Sequence, residues 1–200
     1  EPGEVERGGF RHFMLKEINE QPGAVSETLH ALFPDTSRPT LAHVGLDAAT
    51  LQRFSSVRLV ACGTSWHAAL VGKFYLERLA RVHCEVDYGS EFRYREPLLA
   101  GDTLVVGITQ SGETADTIAA MRLASETGAG LASVCNVRGA LAERLASWRL
   151  ATHAGPEIGV ASTKAFTTKL VALLALALAW RDAKGLPGAE TGDLIERAWS

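Results

Sequence analysis

The chain reads as an α/β fold built around a parallel β-sheet. Two patterns carry that expectation. From Val57 onward, short apolar β-like runs alternate with segments of helical periodicity. Such alternation implies right-handed βαβ units with helices on both faces of the sheet. Two of the runs also end in hydroxyl-rich turns, Gly63-Thr64-Ser65 and Thr109-Gln110-Ser111-Gly112-Glu113-Thr114. In open parallel sheets, ligands sit at turns outside the carboxyl ends of strands.

The elements follow in order. Glu1–Gly9 is polar and glycine-bearing, so it reads as a linker or frayed arm. His12–Gln21 has the pattern of a short amphipathic helix, expected to end before Pro22 because the residue before proline avoids the α region. Val25–Leu32 allows a second helix, and Phe33–Thr40, with Pro34 and Pro39, a loop. Val57–Cys62 is a strand, Gly63–Ser65 a turn and Trp66–Ala80 a helix. Val82–Asp87 is a strand, and Glu91–Arg95 is ambiguous. Thr103–Ile108 is a strand and Gly112–Thr127 a helix. Leu131–Asn136 is a strand, Ala140–Ala146 a short helix and Trp148–His153 a strand. A long helix spans about Ser162–Trp180, with Ser162 as the expected N-cap. Leu186–Ser200 resembles the start of a further segment.

Bulk properties narrow the function classes. The 200 residues suit one domain, and 46% hydrophobic against 22% charged residues allow a sizeable core. A net charge of −3 gives no broad attraction to nucleic acid. No recognisable signal peptide opens the sequence. Leu170–Trp180 is the longest apolar run at 11 residues, whereas a bilayer span takes about 20; it reads as a core or interface helix. Cys62, Cys84 and Cys135 are odd in number and far apart, as expected of free thiols in a reducing, cytoplasmic setting. The six histidines are scattered, so no metal is expected, and no cofactor either. There is no phosphate loop of the Gly-x-x-x-x-Gly-Lys type and no Gly-x-Gly-x-x-Gly, which disfavours nucleotide readers.

The chemistry concentrates at the two corners. Where a strand ends and a helix begins, free backbone N–H groups and the positive end of the helix dipole converge, and phosphate is their natural occupant. Thr109, Gln110, Ser111 and Thr114 add three hydroxyls and an amide without any Lys or Arg. One hydroxyl would suffice for a helix cap; the surplus favours a ligand. Gly63-Thr64-Ser65 alone is compatible with an ordinary helix start, and the argument rests on two such corners converging from neighbouring strands. In the third loop, Ala154–Lys164, Glu157 is either a general acid–base group or an exposed carboxylate. Lys164 opposes the helix dipole, which points to a carboxylate or anionic partner or else a solvated side chain. None of Lys73, Lys164, Lys169 and Lys184 is expected to stand desolvated beside a base, and Glu113 is expected in the first turn of a helix.

The segments Ala61–His67, Gly89–Arg95, Thr109–Thr117 and Ala154–Thr168, with Gly8–Pro22 leading in, resemble the first sugar isomerase (SIS) module of the glutamine–fructose-6-phosphate aminotransferase family. The resemblance covers about residues 7–185. It implies a three-layer αβα sandwich with a five-stranded parallel sheet, flavodoxin-like in type. It implies that Ser65, Thr109, Gln110, Ser111 and Thr114 hold a sugar phosphate and that Thr64, Val160 and Ser162 line the sugar. The ligand would be a hexose 6-phosphate, fructose 6-phosphate or glucosamine 6-phosphate, and the assembly a homodimer. The family usually has Ser at position 109, Tyr at 66 and Gly-Ser-Ser where this chain has Gly139-Ala-Leu.

The family's complete enzymes carry a glutaminase domain with a catalytic cysteine, and a second SIS module with a glutamate base and a ring-opening lysine. None of these parts is expected within these 200 residues. The expected organisation is therefore an N-terminal linker with short helices over 1–50, a SIS domain over 51–185 and the start of a linker over 186–200. The chain is expected to bind substrate without catalytic residues of its own. The rival reading is a stand-alone phosphosugar-binding or sensor domain. No nucleic-acid or membrane partner is expected.

Overall fold

Five apolar runs assemble into one parallel sheet: β1 Ser56–Ala61, β2 His83–Tyr88, β3 Thr103–Thr109, β4 Gly130–Cys135 and β5 Trp148–Ala151, in the order β2-β1-β3-β4-β5. The computed structural model describes residues 6–34 and 40–186. Each crossover carries a helix: α3 Gly63–Tyr75, α4 Gly89–Tyr94, α5 Ala115–Glu126 and α6 Leu141–Leu145. Before the sheet lie α1 Phe13–Leu32 and α2 Ala48–Gln52, and after it α7 Lys164–Ala183. The strand order is that of doubly wound flavodoxin-like sheets, whose switch point lies between β1 and β3.

Alternation along the central strand builds the two faces. Every residue of β3 is buried. Leu104, Val106 and Ile108 join a core with Leu59 and Ala61 of β1, α2, α3 and α7. Val105 faces the other way, into a core with Val60, Phe92 of α4, Ala142 of α6 and Ile118, Met121 and Ala124 of α5. A side chain at Gly107 would stand 2.3 Å from the Met121 sulfur, so the missing Cβ lets α5 sit close to the strand. The result is the expected three-layer αβα sandwich.

The boundaries bear out the alternation and correct several details. Gly63–Ser65 is the first turn of α3 rather than a separate turn, and α3 continues through a π-helical turn at Leu76–Ala80. The ambiguous Glu91–Arg95 segment belongs to α4. The helix after β3 begins at Ala115, not Gly112. The long final helix starts at Lys164 and runs to Ala183. The ends expected at Glu1–Gly9, Phe33–Thr40 and Leu186–Ser200 lie partly outside the described residues.

The largest departure is α1. Its 20 residues run straight through Pro22, where two short helices were expected. Pro22 cannot donate to the Ile18 carbonyl four residues back. The Gln21 side chain donates to that carbonyl instead, at 3.2 Å. The helix lies against α7 and β5. Its Ala24, Thr28, Leu29 and Leu32 are buried, and packing of this kind outweighs one local propensity defect. α1 also explains the all-round apolarity of Leu170–Trp180: α7 is packed against α1, α2 and α3, and Leu173, Leu176, Leu178 and Trp180 are buried. Among the described residues no helix is long and apolar enough to cross a membrane.

Candidate functional site

Register brings the two corners together. β1 and β3 are neighbours, with Ala61 paired to Ile108, so the chain leaves both strands at the same level of the sheet. α3 and α5 start from adjacent positions on its carboxyl edge. Cys62 and Thr114 occupy their N-cap positions, and neither side chain caps its helix. Of the other helices that start at this edge, the short α4 also lacks a side-chain cap, whereas α6 and α7 are closed by carboxylates. The N-terminus of α6 is closed by Glu113, whose Oε1 accepts from Leu141 N at 2.8 Å. Glu143 Oε2 accepts from Gly139 N at 2.7 Å, so carboxylates replace the missing Ser cap after Gly139. The N-terminus of α7 is closed by Glu157, whose Oε1 accepts from Thr163 N at 2.8 Å and Ala165 N at 3.2 Å. Carboxylates thus occupy α6 and α7, while α3 and α5, side by side, have no side-chain cap among the described residues.

The hydroxyls around those free ends have distinct jobs. Thr109, at the end of β3, is buried. Its Oγ1 accepts from Gly112 N at 3.2 Å and lies 3.0 Å from Thr114 Oγ1. It therefore braces the turn. Ser111 Oγ accepts from Glu113 N at 3.2 Å, leaving its own proton to donate. Ser65 is buried, and its hydroxyl has no hydrogen-bond partner among the described residues. Gln110 is half-buried; its carbonyl accepts from Asn136 N at 3.3 Å. Gly112 has φ +72°, and a side chain there would meet the Ala140 Cβ at 2.3 Å and the Cys135 sulfur at 2.9 Å. Only glycine fits that turn. Thr64 is exposed at the start of α3.

Val160 and Ser162 lie in the arch between β5 and α7, at the same edge of the sheet. Val160 is fully exposed. The Ser162 hydroxyl donates to Glu157 Oε2 at 3.1 Å. This corrects the expectation that Ser162 caps α7: the N-cap residue is Thr163, without a side-chain cap of its own, and Glu157 does the capping. Glu157 is thereby half-buried and engaged, neither a loose loop carboxylate nor a free base. Glu113 likewise precedes α5 and serves α6, so it does not aim into the corner.

The structure also decides two lysines, one within the alternatives expected and one against them. Lys164 is buried and pairs with Glu20 of α1 at 2.7 Å, which settles it as carboxylate-bound. Lys169, expected to be an ordinary helix lysine, is 1% exposed. Burial pushes its ammonium down to about 8, against the opposing influence of Glu157 and Cys135. A desolvated lysine therefore exists after all, and no hydrophobicity pattern around it could have found it. Cys84 and Cys135 are buried free thiols, and burial pushes Cys84 up to about 12. Cys62 is half-buried and accepts from the Thr117 hydroxyl at 3.7 Å.

The architecture is that of a doubly wound α/β domain with hydroxyl-rich turns and uncapped helix N-termini at its switch point. Residues 51–179 match the SIS domain family, to which this chain belongs. Within that family it is 54% identical over 179 residues to a glutamine–fructose-6-phosphate aminotransferase of Symbiobacterium thermophilum, covering 89% of this chain and 29% of that protein. A second such enzyme, from Chlorobaculum tepidum, is 48% identical over 176 residues, or 88% and 29% of the two chains. The solved C-terminal domain of glucosamine-fructose-6-phosphate aminotransferase from Francisella tularensis superposes with a TM-score of 0.92 at 38% identity. That match covers 98% of this chain and 55% of the other. The chain is thus homologous to the SIS portion of these aminotransferases and spans 29% of the length of the first two.

Proposed function

We propose that the chain is the hexose-6-phosphate-binding first SIS half of a glucosamine-6-phosphate-forming aminotransferase. The observation that carries this reading is the pair of open helix N-termini on register-paired β1 and β3, flanked by the Ser65 and Ser111 hydroxyls. Backbone N–H groups and the two dipoles offset the charge of a phosphate dianion. Ser65, Gln110, Ser111 and Thr114 supply side-chain donors, and Thr109 holds the turn in shape. Thr64, Val160 and Ser162 face the sugar. The SIS domain spans 51–185, and the amination and ring-opening chemistry belongs to a glutaminase domain and a second SIS module elsewhere in a full-length, cytoplasmic homodimer. The sequence similarity to the aminotransferases supports the substrate class.

Fructose 6-phosphate titrated into the protein by calorimetry tests the reading. Losing one hydroxyl bonded to a dianion costs about 1.5–3 kcal/mol, or roughly 10–150-fold in affinity. Ser65→Ala and Ser111→Ala are each expected to weaken binding within that range. Unchanged affinity in both variants rejects the site.

A further inference from the structure

The arch that carries Val160 and Ser162 is held by residues that lie outside the matched family segment. Glu17 of α1 is 2% exposed. Its Oε1 accepts from Ile158 N at 2.6 Å and from Gly159 N at 3.0 Å, and its Oε2 accepts from Gly159 N at 3.2 Å. Two consecutive N–H groups converging on one carboxylate form a small anion nest. Gly159 admits the carboxylate, because a Cβ there would stand 2.5 Å from Glu17 Oε2. The rest of α1 grips the same stretch: Thr28 Oγ1 accepts from His153 N at 3.0 Å, Glu20 pairs with Lys164, and Gln21 accepts from the Thr167 hydroxyl at 2.5 Å. Glu157 clamps the far foot of the arch through Ser162 and Thr163.

We infer that Glu17 is a positioning residue for sugar recognition: it fixes the backbone immediately before Val160 and so sets where the arch meets the sugar. The inference rests on the hexose 6-phosphate site proposed above. It assigns a division of labour. The β1 and β3 corners hold the phosphate without help from α1, while the sugar contacts depend on a helix that precedes the family domain. Isosteric Glu17→Gln removes the charge and replaces the Oε2 acceptor with a donor facing the Gly159 N–H, which weakens the nest while leaving the phosphate corners alone. Gly159→Ala breaks it from the other side by obstructing the carboxylate.

The test is calorimetry on the full-length protein and both variants, with fructose 6-phosphate and with inorganic phosphate. Each variant is expected to lose about tenfold in fructose 6-phosphate affinity, a shift of about 1.4 kcal/mol, with inorganic phosphate binding unchanged. Equal weakening toward both ligands marks a general folding effect and overturns the inference. So does unchanged fructose 6-phosphate affinity in both variants. Wild-type protein that binds neither ligand instead overturns the site itself, which separates the two failures.

Discussion

Lys169 is the residue whose behaviour departs furthest from its type. In the unfolded chain a lysine titrates near 10.5; here burial brings it to about 8. Below pH 8 both states are protonated, and the folded state bears the cost of a desolvated ammonium, on the order of 3 kcal/mol at 1.36 per pKa unit. Between pH 8 and 10.5 the unfolded chain binds more protons than the folded one, so this group makes stability rise with pH in that window. Cys84 acts in the opposite sense. Its folded thiol stays protonated up to about 12 while the unfolded thiol ionises near 9, so stability falls above pH 9. Urea unfolding should therefore show wild type gaining stability from pH 8 to 9 relative to Lys169→Met. The variant should be the more stable of the two at pH 7, because replacing a desolvated charge, only partly offset by Glu157 and Cys135, with an apolar chain of similar length removes the penalty. Parallel pH curves for the two proteins would show that Lys169 is solvated in practice.

Among the elements, α1 shows how tertiary contacts override a local signal. A proline inside a helix costs about 3 kcal/mol relative to alanine. At Pro22 part of that cost is offset by the Gln21 side chain, which occupies the orphaned Ile18 carbonyl. Docking onto α7 supplies the rest. Pro22→Ala restores the backbone bond within an already docked helix, so it should raise stability by about 1–3 kcal/mol and raise the thermal midpoint by several degrees. A lower midpoint would mean that the proline serves the packing of α1. Similar reasoning applies to helix starts. Ser162 looked like the cap of α7 because hydroxyl residues favour that role, but Glu157 reaches the same N–H groups with a charge, and charge-assisted bonds are the stronger.

For the whole molecule, the apolar Leu170–Trp180 run is explained within one chain by α1, α2, α3 and the sheet. It leaves no broad face of α7 for a partner. The large apolar side chains that remain exposed lie elsewhere, among them Phe74, Tyr94 and Leu98, and Met14, Leu15 and Ile18 of α1. The proposed homodimer should therefore form without exposing or rearranging α7. Sedimentation at increasing concentration is expected to show a species of twice 21.4 kDa. A single species at 21.4 kDa throughout would remove the homodimer from the proposal.

Periodicity and turn chemistry were enough to read the parallel α/β architecture, the order of its elements from Val57 onward and the two hydroxyl-rich corners, because these are short-range properties of the chain. A short run such as Thr103–Ile108, rich in β-branched residues and bounded by turn residues, reads as a strand buried on both faces, and a Ser-Gly turn between it and a helical pattern places helix N–H groups at the strand's end. Tertiary structure alone decided which corners stay open. The closure of α6 by Glu113 and the holding of the arch by Glu17 bring together residues 28 and more than 140 apart. The desolvation of Lys169 likewise depends on elements packed around it. These effects are set by which side chains meet across the fold, and no local pattern in the sequence encodes them.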